Sequence, residues 1–247
     1  MMFEWNPGII RFMKDAFEYG SYSRELADTV IPYLSGESRV CDAGCGLGYL
    51  SLELAEKAGR VTSVDVSADA LAVLRENCEK RGVSNIDILC GDLFSMPPDE
   101  KYTAMVFCYF GDVDSIVRYS RRFCSGPVFI FKRNYEMHRF SAGGTEKADD
   151  SFEEACRRFE KHGVSFRTLE LENEFGQPFR SLDDVRKFFE LYNQSGSGKA
   201  ATDLFAAGSI INTGRDDFPF YMPFTKRTGC IIINPLDLQG PTYKGDI

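Results

Sequence analysis

Histidine is scarce in this 247-residue chain: His138 and His162 are the only two. A zinc site needs three or four converging ligands, so no metal is expected. The eight cysteines include no Cys-x-x-Cys pair. Most stand in apolar runs, where a free thiol packs as a small hydrophobe, and reduced thiols in a cytoplasmic protein are expected. No stretch approaches the ~18 apolar residues of a membrane span. The longest, Ala104–Phe110 and Cys230–Ile233, have the length of strands. The first residues lack a basic segment followed by an apolar one, so no signal peptide is expected. Basic residues are outnumbered, 29 Lys+Arg against 37 Asp+Glu, giving a net charge of −8. Such a chain has no bulk attraction for phosphate backbones, so a nucleic-acid partner is not expected, and without an apolar span neither is a membrane. Repeats and low-complexity segments are missing as well.

What is present is ordinary globular material, 43% hydrophobic and 27% charged, long enough for one large domain over residues 1–247. Residues 1–36 read as helical, with Pro7 suited to a first turn and Gly36 as a stop. From Arg39 the period changes. Short apolar strands at 39–42, 61–66, 86–90, 102–110 and 127–131 alternate with helices. Ser67 and Asp112 can cap two of these helices, and Ser151-Phe152-Glu153-Glu154 is a capping box for a third. Alternation of this kind implies an α/β fold, a parallel sheet covered by helices on both faces. Further strands are expected at 165–175 and 229–234. Between them lies an insert, residues 176–226. It opens with a second capping box at Ser181 and is expected to hold two helices, the second over 200–211, before an aromatic run Phe218–Phe224. Long connections inside compact domains are commonly lids, so the insert is expected to be a lid or a packing subdomain.

The strongest signal is Asp42-Ala43-Gly44-Cys45-Gly46-Leu47-Gly48-Tyr49, where the first strand meets its crossover helix. Glycines there allow a tight turn and close approach of a ligand to the peptide groups. A dinucleotide fingerprint needs a third glycine where Tyr49 stands, which disfavours an NAD(P) oxidoreductase. Asp42 would repel a pyrophosphate but could serve an ammonium. The second strand ends in Asp65-Val66, suited to ribose hydroxyls. The third ends in Gly91-Asp92-Leu93, where Asp92 could accept from an adenine amine and Leu93 could lie against the ring. Together these describe S-adenosylmethionine better than NAD.

These residues resemble motif I, the following acid and the adenine-binding acid of the class I S-adenosylmethionine-dependent methyltransferases. The resemblance implies a doubly wound, seven-stranded sheet in the order 3-2-1-4-5-7-6, mostly parallel with an antiparallel last strand. It implies cofactor contacts from Asp42, Gly44, Cys45, Gly46, Gly48, Asp65, Val66, Asp92 and Leu93. Tyr109-Phe110-Gly111-Asp112 stands where the family's motif IV lies, and Tyr109 and Phe110 would wall the sulfonium, which favours aromatic faces. The motif IV forms of amino-methylating DNA enzymes and the Pro-Cys of pyrimidine methyltransferases are missing. Candidate catalytic groups are His138, Tyr109 and Asp112. Tyr19 and Tyr22 could close over the cofactor or simply pack. The expected activity is methyl transfer to a small molecule, with a homodimer admitted. The alternatives are a non-catalytic S-adenosylmethionine-binding sensor or partner subunit, and a protein or RNA methyltransferase.

Overall fold

The structure, a computed structural model, describes residues 5–134, 151–192 and 208–235. Helix α1 (Pro7–Tyr19) begins where Asn6 accepts from the Ile9 amide at 3.0 Å, with Pro7 in the first turn. Helix α2 (Tyr22–Val30) follows. The alternating region then gives β1 (Arg39–Ala43), α3 (Tyr49–Ala55), β2 (Arg60–Asp65), α4 (Ala68–Arg81) and β3 (Ile86–Cys90). It continues through β4 (Ala104–Cys108), α5 (Val113–Phe123), β5 (Val128–Arg133), α6 (Phe152–Lys161) and β6 (Phe166–Glu174). After these come β7 (Gln177–Phe179), α7 (Leu182–Tyr192), β8 (Ile211–Asn212), β9 (Phe220–Met222) and β10 (Thr225–Ile233).

The expected caps are made. Ser67 accepts from the Ala70 amide at 3.2 Å, Asp112 from Ser115 at 3.0 Å, Ser151 from Glu154 at 3.2 Å and Ser181 from Asp184 at 3.1 Å. Each side chain satisfies an amide that the first helical turn leaves orphaned.

The main sheet runs β3-β2-β1-β4-β5-β10-β6. Strands β1 to β5 are parallel, and β10 is antiparallel to β5, with Ile231 opposite Ile130. This is the expected order and direction. Because β1 sits between β2 and β4, the crossovers leave it toward opposite sides, which opens a crevice at the carboxyl ends of β1 and β4. Beneath it Phe107, Ile130 and Ile231 are fully buried against Ile116 of α5 and Phe159 of α6.

Among the described residues two compact units divide the chain. One takes 23–134, 151–171 and 228–235, the other 5–22, 172–192 and 208–227. The second unit has its own three-stranded sheet, β7-β9-β8. Phe12 of α1 meets Phe188 of α7 edge-on at 5.0 Å, and Phe179, Val185, Phe189 and Met222 close the same core. Arg180 grips the buried Asp15 through two bonds of 2.6 and 2.7 Å, and Arg11 grips Asp184 at 2.9 and 3.1 Å. The segment 176–226 therefore holds strands beside its expected first helix, and its apolar face is satisfied by α1. Of the expected second helix, residues 200–207 lie outside the described residues, Gly208 and Ser209 are helical, and the helix has ended before Ile211, which opens β8. Tyr22 is buried and stacks on Phe175 at 4.2 Å, and Tyr19 stacks on Tyr221 at 4.8 Å, so both tyrosines pack within this unit.

Candidate active site

The glycine loop joins β1 to α3. Gly44, Gly46 and Gly48 have φ of 66°, 54° and 74°, a region that other residues enter only at a cost. Gly48 is the residue at the N-terminus of α3, and a Cβ on it would lie 2.4 Å from the Leu74 side chain. A Cβ on Gly44 would meet the Phe110 side chain at 2.4 to 2.6 Å, its ring atoms nearest. The loop is thus glycine-bound for two reasons, its backbone conformation and what leans on it.

Asp65, at the end of β2, fastens the loop. One carboxylate oxygen accepts from the Gly46 amide at 2.9 Å and the other from the Ser67 amide at 2.9 Å. An ionised carboxylate has about four lone-pair sites, so two amides leave it acceptor capacity for a diol. Val66 beside it is 47% exposed.

Asp42 lies deeper than its sequence role suggests. It is buried beneath the loop, where Ser51 of α3 donates to it at 2.5 Å and Ser63 of β2 donates on to Ser51 at 2.8 Å. Burial pushes its pKa up to about 6. Donation from Ser51 opposes the rise, and the nearby Asp65 charge adds to it. Cys45 has its thiol pushed well above the ordinary value by burial, then by Asp42 and Asp65. It packs in the loop and is no thiolate nucleophile.

At the end of β3, Asp92 caps a single helical turn, accepting from the Phe94 amide at 3.1 Å and the Ser95 hydroxyl at 2.8 Å. Its carboxylate is exposed. Leu93 is 2% exposed and belongs to the sheet core. Phe94, which the sequence reading passed over, stacks on Phe110 with centroids 5.5 Å apart and planes at 9°.

The turn after β4 is the most constrained backbone in the site. Tyr109 has φ of 55°, alone in this region among described residues other than glycine, and Gly111 follows at 74°. Backbone of this kind concentrates at functional sites. The Tyr109 hydroxyl shares a 2.5 Å hydrogen bond with Thr228 of β10. Lys132 of β5, fully buried, donates to the Gly111 carbonyl at 2.7 Å. Both partners escaped the sequence reading. The signal for Lys132 was a charge closing the apolar run Val128-Phe129-Ile130-Phe131.

Asp112 is spent as the α5 cap. Burial works to raise its pKa, but hydrogen bonds from Ser115 and the Arg158 charge outweigh it, so the carboxyl lies below the ordinary value. Asp114 pairs with Arg158, and with His162 at 3.3 Å. Among the described residues no group of three His, Cys, Asp or Glu could hold a metal. None of the described helices is long and apolar enough to cross a membrane. His138 lies outside the described residues.

The structure therefore brings Asp42, the three loop glycines, Asp65 and Phe110 into one connected group. Tyr109 adjoins it through the same turn. The residues present are of a kind that fits S-adenosylmethionine: the carboxylates of Asp65 and Asp92 at the ends of β2 and β3 are acceptors of the type that hydroxyls and an amine need, and the Tyr109 and Phe110 rings stand at the end of β4.

Residues 40–123 match the family model described as a methyltransferase domain. The chain is 38% identical over 73 residues to a 23S rRNA (uracil(1939)-C(5))-methyltransferase of Methylococcus capsulatus, covering 29% of this chain and 16% of that one. It is 34% identical over 71 residues to a Methanobrevibacter smithii protein named "Probable cobalt-precorrin-6B C(15)-methyltransferase (decarboxylating)", covering 27% and 38%. The chain thus spans well under half the length of these curated relatives. The YcgJ protein from Bacillus subtilis shares the fold, with a TM-score of 0.54 at 16% identity over 86% of this chain and 98% of that one.

Proposed function

Because residues 40–123 match the model of a methyltransferase domain, we propose that the chain is a class I methyltransferase that transfers a methyl group from S-adenosyl-L-methionine to a small-molecule acceptor. The observation that carries the reading is the Asp65 carboxylate fastened to the Gly46 amide at 2.9 Å, at the switch point of the sheet. S-adenosylmethionine, when bound, supplies a methyl group already activated on a sulfonium.

The protein's own tasks are then binding, orientation and exclusion of water. Asp65 accepts from the ribose hydroxyls with the lone pairs that Gly46 and Ser67 leave open. Val66 packs against the nucleoside, and Asp92 accepts from the adenine amine. The loop of Gly44, Cys45, Gly46 and Gly48 lets the methionine portion approach the backbone. Asp42 supports that loop from beneath through Ser51. Tyr109 and Phe110 offer aromatic faces to the sulfonium. Leu93, buried in the core, supports the adenine subsite from below.

A small acceptor is favoured by the net charge of −8 and by the likeness to a protein named for a cobalt-precorrin. The likeness to an rRNA methyltransferase favours RNA as the second reading, and it removes support from the expectation that nucleic acid is no partner. The segment 176–226 is proposed to govern acceptor choice.

One experiment separates these readings. Purified protein is offered methyl-labelled S-adenosylmethionine with three acceptor pools: small metabolites, total RNA and denatured protein. Label in the metabolite pool supports the proposal, and label in RNA alone replaces it with the second reading. Binding of S-adenosylmethionine with no label in any pool favours a non-catalytic sensor.

A further inference from the structure

We propose that Lys132 and Thr228 are positioning residues that hold the Tyr109–Gly111 turn in its left-handed form and thereby set the aromatic face it offers the methyl donor. The role of that face rests on the function proposed above; the hold on the turn does not.

The turn is held at four points. The Tyr109 amide donates to the Phe131 carbonyl at 3.0 Å. The Tyr109 hydroxyl meets Thr228 Oγ1 at 2.5 Å. The Gly111 carbonyl accepts from Lys132 Nζ at 2.7 Å. The Phe110 ring rests on Gly44, where it would occupy the space of a Cβ. Two of these four holds come from side chains that are 0% exposed, Lys132 and Thr228. They stand side by side in the ladder, where Lys132 is opposite Gly229 and Arg133 is opposite Thr228.

Packing alone does not account for the choice of side chains. Lys132 is the penultimate residue of β5, and the four strand residues before it are apolar and fully buried. A methionine would fill similar space without taking an ammonium out of water, which is costly. Among what the ammonium adds is a charge-assisted hydrogen bond to a carbonyl, and that carbonyl belongs to the one turn among the described residues where a residue other than glycine has a positive φ. A backbone left to itself would relax Tyr109 out of that region. The relaxed turn would carry Phe110 off Gly44 and Tyr109 away from β10. The clamp therefore links the end of β5 and the start of β10 to the glycine loop through one short piece of chain.

The test uses Lys132→Met and Thr228→Val, each close in volume to the native side chain, in the full-length protein. Amide hydrogen exchange is followed without ligand. Under the proposal the Tyr109 amide exchanges at least ~10-fold faster in each variant while the amides of β1 keep their native rates. In parallel, S-adenosylmethionine labelled with carbon-13 at its methyl is added and read by NMR. The bound methyl resonance should move toward its free position in both variants, because the ring faces no longer stay fixed beside it. Affinity for S-adenosylmethionine should stay within ~3-fold, since Asp65 and the loop amides are untouched. Native exchange at Tyr109 together with an unmoved methyl resonance in folded variants would overturn the proposal and leave both residues as packing. If Lys132→Met does not fold, the near-isosteric Thr228→Val decides by the same two readings. If the wild-type protein does not bind S-adenosylmethionine, the proposed function falls, and the exchange measurement still decides the clamp.

Discussion

Gly46 donates its backbone amide to Asp65 at 2.9 Å, so the acid at the end of β2 is part of the glycine loop before any ligand arrives. Asp65→Ala removes both that anchor and the acceptor for a ribose. S-adenosylmethionine binding is expected to weaken by about 1.5–3 kcal/mol, the worth of hydrogen bonds to a charged group. Titration calorimetry reads the loss, and an unchanged affinity would take Asp65 out of the site.

Asp42 makes stability depend on pH. Its carboxyl holds a proton up to about 6 in the folded protein, against 3.8 ordinarily. Between these values the folded state binds more protons than the unfolded chain, so stability falls as pH rises. Above 6 the cost of the buried charge is fully present, on the order of 2–3 kcal/mol. Asp42→Asn keeps an acceptor for Ser51 without the charge. The Tm difference, variant minus wild type, should grow from pH 4.5 to pH 7.5. A difference independent of pH would assign the titration elsewhere.

At Gly44 the backbone φ of 66° and the Phe110 ring both oppose a side chain. Gly44→Ala should cost roughly 1–3 kcal/mol, through strain and overpacking. Adding Phe110→Leu should recover the overpacking part alone. Denaturant unfolding of the two single variants and the double variant gives the coupling, and strictly additive losses would mean that the ring does not press on the loop.

In the second unit, Arg180 is the partner of a buried acid. Burial raises the Asp15 pKa, and the Arg180 and Arg11 charges oppose the rise. Arg180→Met leaves that acid without its two hydrogen bonds and should destabilise by about 2–4 kcal/mol. Asp15→Asn/Arg180→Met should cost less than the sum of the single changes. Thermal melts of the four proteins measure it, and full additivity would mean the pair is not coupled.

Turnover is expected to survive dialysis against a chelator. Asp112 caps α5 and Asp114 is paired with Arg158 and His162, so neither acid is left as a ready metal ligand. Loss of activity restored by a divalent ion would require those pairings to open.

The main sheet was legible because its strands read as buried apolar runs and its helices announce their caps. Ser67, Asp112, Ser151 and Ser181 do what their positions suggest. The glycine loop and Asp65 were legible because their chemistry is local to two strand ends. Lys132 and Thr228 were not, because their partners stand 21 and 119 residues away, and nothing in a buried strand's composition points to a particular carbonyl. The depth of Asp42 was hidden for the same reason: Ser51 and Ser63 look like ordinary small residues until the fold stacks them. The strands β7, β8 and β9 have two or three residues each, too short for an alternating pattern to register.

The core built by Phe12 with Phe179, Phe188 and Met222 has a consequence for biosynthesis. Gln177 donates to the Phe12 carbonyl, and Arg180 to Asp15, each across 165 residues of chain. At translation speeds of roughly 5–20 residues per second, α1 leaves the ribosome about ten to thirty seconds before its partners exist. During that interval Phe12 and Ala16 have no native surface to bury them. Helix α1 therefore stands to gain from a chaperone during that interval, and slowing translation downstream of residue 134 should lengthen its exposure.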